Sequence, residues 1–302
     1  MSDFVKPPTD QDSHGEQVSL KNIRGGEPTW CAGCGFFSVL SSFYKLVRDR
    51  EFEQQNVIAI SGIGCSSRIP YFINGYGFHG VHGRALPIAS GISLSRKDLK
   101  VFVFGGDGDL LSIGGNHLIH TARRNVNLTC VIMDNSVYAL TKKQTSPTSP
   151  IGFKSKTDPF GSVDEPINVE QLLLASGASF VARTMFSEPK HIYEMLSLGL
   201  DHNGFSAIHL LSDCVEFYPG RYDAVNRKKG GNFNLIPEDH DVTDKSAAFK
   251  LAENPFLGYF GLFYKVNKPT RNEIEENLIN ESQEKHQGSD ITKFAAAMKR
   301  YQ

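Results

Sequence analysis

Two sets of residues in this chain could do chemistry, and they are of opposite kinds. The first is hard oxygen. Asp107 sits in Gly105-Gly106-Asp107-Gly108-Asp109, and 25 residues separate Gly108 from the pair Asp134-Asn135. A carboxylate, an amide oxygen and a backbone carbonyl beside them suit Mg²⁺, which takes oxygen ligands and commonly completes its shell with phosphates. The glycines leave room for a diphosphate to approach backbone N–H groups. The second set is soft sulfur: Cys31 and Cys34 in one close pair, then Cys65 and Cys214 as distant singles. Four thiolates suit a [4Fe–4S] cluster or a Cys₄ zinc site, and zinc sites usually use two close pairs, so this spacing tilts toward the cluster. The fifth cysteine, Cys130, lies mid-strand in an apolar run and reads as a small buried hydrophobe.

The elements that would position these residues are legible from periodicity. Residues 101–104 are apolar without alternation, as in a strand of a parallel sheet buried on both faces. A helix over 113–124 and a strand over 128–133 follow, and a βαβ crossover of that length returns Asn135 to the neighbourhood of Asp107. Further strands are expected over 56–61, 179–183 and 205–212, and helices over 85–95, 168–175 and 188–202. Another begins at Phe36, with an apolar stripe of Phe36, Val39, Leu40, Phe43, Leu46 and Val47. Such alternation predicts an α/β fold: a doubly wound, mostly parallel sheet with helices on both faces. Cys65, Asp107, Asn135 and Cys214 then each follow a strand on its carboxyl edge, where open α/β sheets bind ligands. Residues 1–24 are expected to form a polar arm and 25–220 the binding domain. Residues 221–302 read as a C-terminal extension that clasps a partner, with a flexible basic loop at 227–231 and a helical stretch over 273–301 broken at Gly288. The long loop over 145–166, rich in Ser, Thr, Pro and Gly, is of the kind that covers a site.

Bulk properties exclude several classes. The 302 residues can bury a substantial core, and the net charge of −1 with a pI near 6.8 gives no nucleic-acid footprint. No apolar run approaches the roughly 20 residues that span a bilayer, and the polar start has no signal-peptide core, so the expected location is the cytoplasm, with no membrane partner. There is no internal repeat. His117 and His120, three apart on one helix, read as helix packing because no third metal ligand suggests itself.

Residues 22–220 also resemble a known family. The Gly-Asp-Gly unit with its distant Asn is similar to the thiamine diphosphate motif, although many members carry Asn where this chain has Asp134. Trp30-Cys31-Ala32-Gly33-Cys34-Gly35, Gly62-Ile63-Gly64-Cys65-Ser66-Ser67-Arg68, the segment from His82 to Gly91, and the run from Asp134 to Thr148 occur in this order in the β subunit of 2-oxoacid:ferredoxin oxidoreductases. The resemblance implies that Asp107, Asn135 and the Val137 carbonyl bind Mg²⁺. It implies that Ile63, Gly64, Cys65, Ser66, His82, Gly108, Asp109, Ala139 and Leu140 contact thiamine diphosphate, and that Cys31, Cys34, Cys65 and Cys214 hold one [4Fe–4S] cluster. The implied reaction is reversible, coenzyme A-dependent oxidative decarboxylation of a 2-oxoacid with electrons passed singly to ferredoxin. The glutamate that thiamine enzymes need at the aminopyrimidine matches no motif here, so an α subunit is expected to supply it, in an (αβ)₂ assembly. Leu140-Thr141-Lys142 resembles the branch using 2-oxoglutarate, with pyruvate or a broad 2-oxoacid range as the alternative. Arg68 and Lys142 are candidate partners for a distal substrate carboxylate, and His82 is a candidate to orient diphosphate or substrate. Two readings compete: a thiamine-dependent decarboxylase or synthase with a zinc-stapled N-terminus, and a non-catalytic electron-transfer or scaffold subunit that binds no thiamine.

Overall fold

The computed structural model describes residues 23–254, 258–285 and 297–299. Its centre is a seven-stranded sheet built from β1 (Val57–Ser61), β2 (Tyr76–His79), β3 (Lys100–Gly106), β4 (Leu128–Asp134), β5 (Phe180–Met185), β6 (Phe205–Leu211) and β7 (Gly261–Lys265) in the order β2-β1-β3-β4-β6-β5-β7. All neighbours are parallel except β7, which runs antiparallel to β5. Every residue of β1, β4, β5 and β6 is buried, which is why these strands are mostly apolar and show no regular alternation.

Helices cover both faces, as the alternation predicts. On one face α1 (Phe36–Asp49) and α5 (Pro189–Leu200) join Phe102, Phe104, Val131 and Ile208 in a core. The stripe expected on α1 is buried, and Phe43 packs edge-on against Phe102 and Phe104. On the other face lie α2 (Ala85–Ser95), α3 (Gly115–Arg124), α4 (Val169–Ala175) and α6 (Lys245–Leu251), over Val103, Cys130, Ile132 and Ala207. Asn125 stops α3 in a left-handed conformation, φ 50°, while Asn168 and Asp244 cap the starts of α4 and α6 through backbone N–H groups. A last helix, α7 (Arg271–Lys285), follows β7. Among the described residues no helix is long and apolar enough to cross a membrane.

Three features depart from the sequence expectation. The helix expected from Ile113 is preceded by a π-helical turn over Gly108–Ile113, closed by the Gly114 N–H on the Asp109 carbonyl at 3.1 Å. The wide turn lets Gly83, at φ +69°, press against Gly114, where a Cβ would come within 2.6 Å of the Gly114 nitrogen. Strand β2, which is not among the expected strands, is an exposed edge strand with no buried run to betray it. The C-terminal extension expected over 221–302 is partly drawn into the fold: it supplies α6 and β7, and Phe263 and Ala248 enter the core. The arm expected over 1–24 falls almost wholly outside the described residues, as does the break at Gly288.

Candidate active site

The sheet register brings four loop starts side by side. Ser61 pairs with Phe104, Gly106 with Met133, and Asp134 with Leu211, so the chain leaves β1, β3, β4 and β6 at one level. One cavity at that edge is lined by Asp107, Asn135 and Val137 and by Ile63, Gly64, Cys65, Ser66, His82, Gly108, Asp109, Ala139 and Leu140, with Tyr138 and Thr141 completing the wall. All the residues expected to meet metal and diphosphate therefore face one space.

Its acid is in an unusual state. Asp107 is 2% exposed, and burial, then the Asp134 carboxylate, push its carboxyl up to about 7 despite hydrogen bonds that favour the charged form. The Thr148 hydroxyl lies 3.0 Å from Asp107 Oδ2 and 2.8 Å from Asp134 Oδ1. The Asp107 carboxylate, beside the Asn135 amide and the Val137 carbonyl, forms a donor set whose chemistry fits Mg²⁺. Asp109, also 2% exposed, instead gathers the loops: its Oδ1 accepts from the N–H of Ile63 at 3.0 Å and of Gly83 at 2.7 Å, and lies 2.7 Å from His82 Nδ1. That contact leaves Nε2 as the His82 nitrogen free for the cavity. Tyr138 donates to the Gly108 carbonyl at 2.9 Å and sets its ring edge-on to His82.

A second cavity, of about 180 Å³, is lined by Cys31, Cys34, Cys65 and Cys214. Burial pushes the Cys34 thiol up to about 12, reinforced by the charges of Cys65, Cys214 and Cys31, and burial with the charges of Cys214 and Cys31 raises Cys65. The sulfurs thus sense one another, and iron or zinc cations would offset that repulsion. Among the described residues, however, no three His, Cys, Asp or Glu side chains are grouped so as to hold a single metal ion. Local chemistry shapes the loops: Cys34 N–H returns to the Cys31 carbonyl at 3.1 Å, and the Trp30 indole donates to the Cys65 carbonyl at 2.7 Å. Gly35 lets the Cys31–Cys34 loop lie against β5 and β6, since a Cβ there would come within 2.4 Å of Ser212 Oγ and 2.6 Å of Phe186. Arg68 and Lys142 line this second cavity, not the first, and both favour the charged form of Cys65. Cys65, Asn135, Ala139 and Leu140 belong to both walls. Cys130 is buried in β4, and burial raises its thiol.

Sequence reading missed Thr148 and Tyr138. The first comes from the long 145–166 loop, whose Ser149 hydroxyl also donates to the Ser136 carbonyl at 2.7 Å, so the loop is pinned beneath the Asp134–Val137 turn. A hydroxyl-rich run, Thr145-Ser146-Pro147-Thr148-Ser149, was the available signal.

Such a site at the carboxyl edge of a doubly wound sheet defines a protein of the thiamine diphosphate-binding class. Residues 62–210 match the family model described as the C-terminal TPP-binding domain of thiamine pyrophosphate enzymes. The 2-oxoglutarate oxidoreductase subunit KorB of Mycobacterium tuberculosis is 43% identical over 234 residues, 78% of this chain but 61% of that protein. The 2-oxoglutarate synthase subunit KorB of Methanocaldococcus jannaschii is 36% identical over 250 residues, 83% of this chain and 92% of that protein. A solved structure of 2-oxoglutarate:ferredoxin oxidoreductase from Magnetococcus marinus, with 2-oxoglutarate, coenzyme A and succinyl-CoA bound, superposes with a TM-score of 0.86 at 38% identity, covering 93% of this chain and 96% of that one. The chain belongs to the family of 2-oxoacid:ferredoxin oxidoreductase β subunits.

Proposed function

We propose that this chain is the β subunit of a coenzyme A-dependent 2-oxoacid:ferredoxin oxidoreductase whose substrate is 2-oxoglutarate and whose product is succinyl-CoA, working in the cytoplasm. The observation that carries this reading is the shared wall: an oxygen-donor cavity and a four-thiol cavity meet at Cys65, Asn135, Ala139 and Leu140. The named activities of the relatives support the same substrate. Asp107, Asn135 and the Val137 carbonyl hold Mg²⁺ with the diphosphate, and the remaining lining residues shape the bed of thiamine diphosphate. When bound, that cofactor supplies an electron sink for the pair left on the substrate's carbonyl carbon as carbon dioxide departs. A [4Fe–4S] cluster on the four cysteines supplies a one-electron exit toward ferredoxin. His82, oriented by Asp109, presents Nε2 to the reacting end of the substrate, and Arg68 with Lys142 meets the distal carboxylate.

An α subunit supplies the missing carboxylate in an (αβ)₂ assembly. The exposed Ile274, Leu278 and Ile279 of α7 support a subunit-facing role for residues 221–302. The test is anaerobic co-purification with the α subunit, assay of iron and inorganic sulfide at about four each per chain, and a 2-oxoacid panel with coenzyme A and a one-electron acceptor. Preference for 2-oxoglutarate is expected; preference for pyruvate overturns the substrate, and a colourless protein with stoichiometric zinc overturns the cluster.

A further inference from the structure

Behind the Asp107 cavity, four ionisable side chains are sealed in the core. Asp134, Glu170, Arg183 and His209 are each no more than 3% exposed, and they come from β4, α4, β5 and β6. Register explains their meeting. His209 is the lateral neighbour of both Ile132 and Arg183, so His209 and Arg183 stand on one face of the sheet, and Asp134, two residues past Ile132, stands on that face too. His209 Nε2 is 3.0 Å from Asp134 Oδ2, and Nδ1 is 2.6 Å from Glu170 Oε1. Ionised carboxylates only accept, so both ring nitrogens carry hydrogen and the ring is an imidazolium. Arg183 Nε lies 3.5 Å from the same Glu170 oxygen. The formal charges therefore balance, two against two.

An apolar cluster of the same volume would fill this space without the desolvation penalty, so stability alone does not call for these charges. What they fix is direction. With Oδ2 of Asp134 taken by His209, Oδ1 is turned to the site, where it accepts from the Ser136 N–H at 2.8 Å and from the Thr148 hydroxyl at 2.8 Å, and that hydroxyl also reaches Asp107. Ser136 sits at φ 54°, a left-handed turn that follows Asn135 directly. We infer that His209 is a positioning residue for the metal-binding loop: through Asp134 it sets the turn that carries Asn135 and Val137, and through Thr148 it sets Asp107. Its side chain lines neither cavity. The inference rests on the proposed reading of Asp107, Asn135 and Val137 as the Mg²⁺ and diphosphate site.

The experiment is calorimetric titration of Mg²⁺ into the αβ complex stripped of cofactor, at fixed thiamine diphosphate, with thermal melting in parallel. His209→Gln and Thr148→Val are each expected to raise the Mg²⁺ concentration for half-saturation by about 10–100-fold. The double variant is expected to fall no further than the weaker single, because both act through Asp134. A His209→Gln protein that melts earlier yet binds with unchanged Mg²⁺ dependence overturns the inference and leaves the network a stability element. Should His209→Gln fail to fold, unchanged Mg²⁺ dependence in Thr148→Val overturns it equally. A wild-type complex that binds no thiamine diphosphate with Mg²⁺ present would instead sink the site reading on which the inference stands.

Discussion

At the Asp107 cavity, donors are set before anything binds: Asp109 ties three loop groups to one oxygen, Thr148 spans two acids, and the buried His209 network backs the turn. At the cysteine cavity next to it the sulfurs are held more lightly: Cys31 is exposed, and backbone N–H groups reach two of the others, Phe217 to Cys214 Sγ at 3.4 Å and Phe36 to Cys34. The Cys34 and Cys65 thiols are pushed toward their neutral form by burial and by the neighbouring sulfurs. One region is preorganised by the sheet and its hydrogen bonds, and the other would take its order from the cluster proposed for it. The largest expected effects are those that separate the two. Asp107→Ala removes the only carboxylate among the three proposed metal donors and should weaken Mg²⁺-dependent thiamine diphosphate binding by at least about 100-fold, measured by calorimetry. Iron and sulfide content should not change; loss of both together would show that the regions are one cooperative unit.

Cys65 stands on the shared wall and sharpens the contrast from the other side. Cys65→Ser should lose most of the iron, because a hydroxyl is a poor replacement for a thiolate, whereas thiamine diphosphate affinity should fall only a few-fold. An equal loss of both would break the comparison.

The sheet and the loops at its edge were legible because buried strands are mostly apolar and because loops at strand ends inherit their position from the register. What was not legible depends on single polar residues whose partners are far away in sequence. His209 in Phe205–Leu211 and Arg183 in Phe180–Met185 each interrupt an apolar run, and Glu170 stands among polar neighbours at the start of α4. A polar residue in a strand buried on both faces demands a partner, so the interruption was readable, but the identity of the partner required the strand order. Thr148 was hidden in a loop whose composition announces a turn and not a contact, and β7 was hidden because an edge strand of glycine and aromatics lacks the run that marks a central one.

The two regions also separate along the pH axis. Burial works against the charged His209, but the Glu170 charge and the Asp134 hydrogen bond raise it to about 9 from an ordinary 6.5. A raised cation stabilises the fold fully below about 6.5, and that contribution is lost as pH climbs through 9. Glu170 shows the mirror case: opposed by burial but drawn down to about 2 by His209 and Arg183, it contributes above 4.5 and is lost as pH falls through 2. Cys34, raised from 9 to about 12, adds a separate alkaline loss that begins only above 9. Protein stripped of iron should therefore lose a few kcal/mol between pH 6.5 and 9 through the network, and more beyond it through the thiols. Denaturant midpoints across this range check it: His209→Gln should flatten the first limb and leave the second.

The smallest effect bears on substrate choice. Arg68 is half-buried and Lys142 exposed, both line the cysteine cavity, and both favour the Cys65 thiolate. Two roles follow from one position. If Arg68 pairs with a distal carboxylate reaching past Leu140, which belongs to both walls, its loss raises KM for 2-oxoglutarate and spares pyruvate, which has no second carboxylate. If it serves the sulfurs, both substrates suffer alike and the cluster potential becomes more negative, since removing a cation disfavours adding an electron. A partly solvated pair is worth about 1 kcal/mol, so Arg68→Ala should raise KM for 2-oxoglutarate about fivefold at unchanged kcat. Lys142→Ala should do less, because its charge is the better screened. Equal KM changes for the two acids, together with a shifted potential, would move both residues from the substrate to the cysteine cavity.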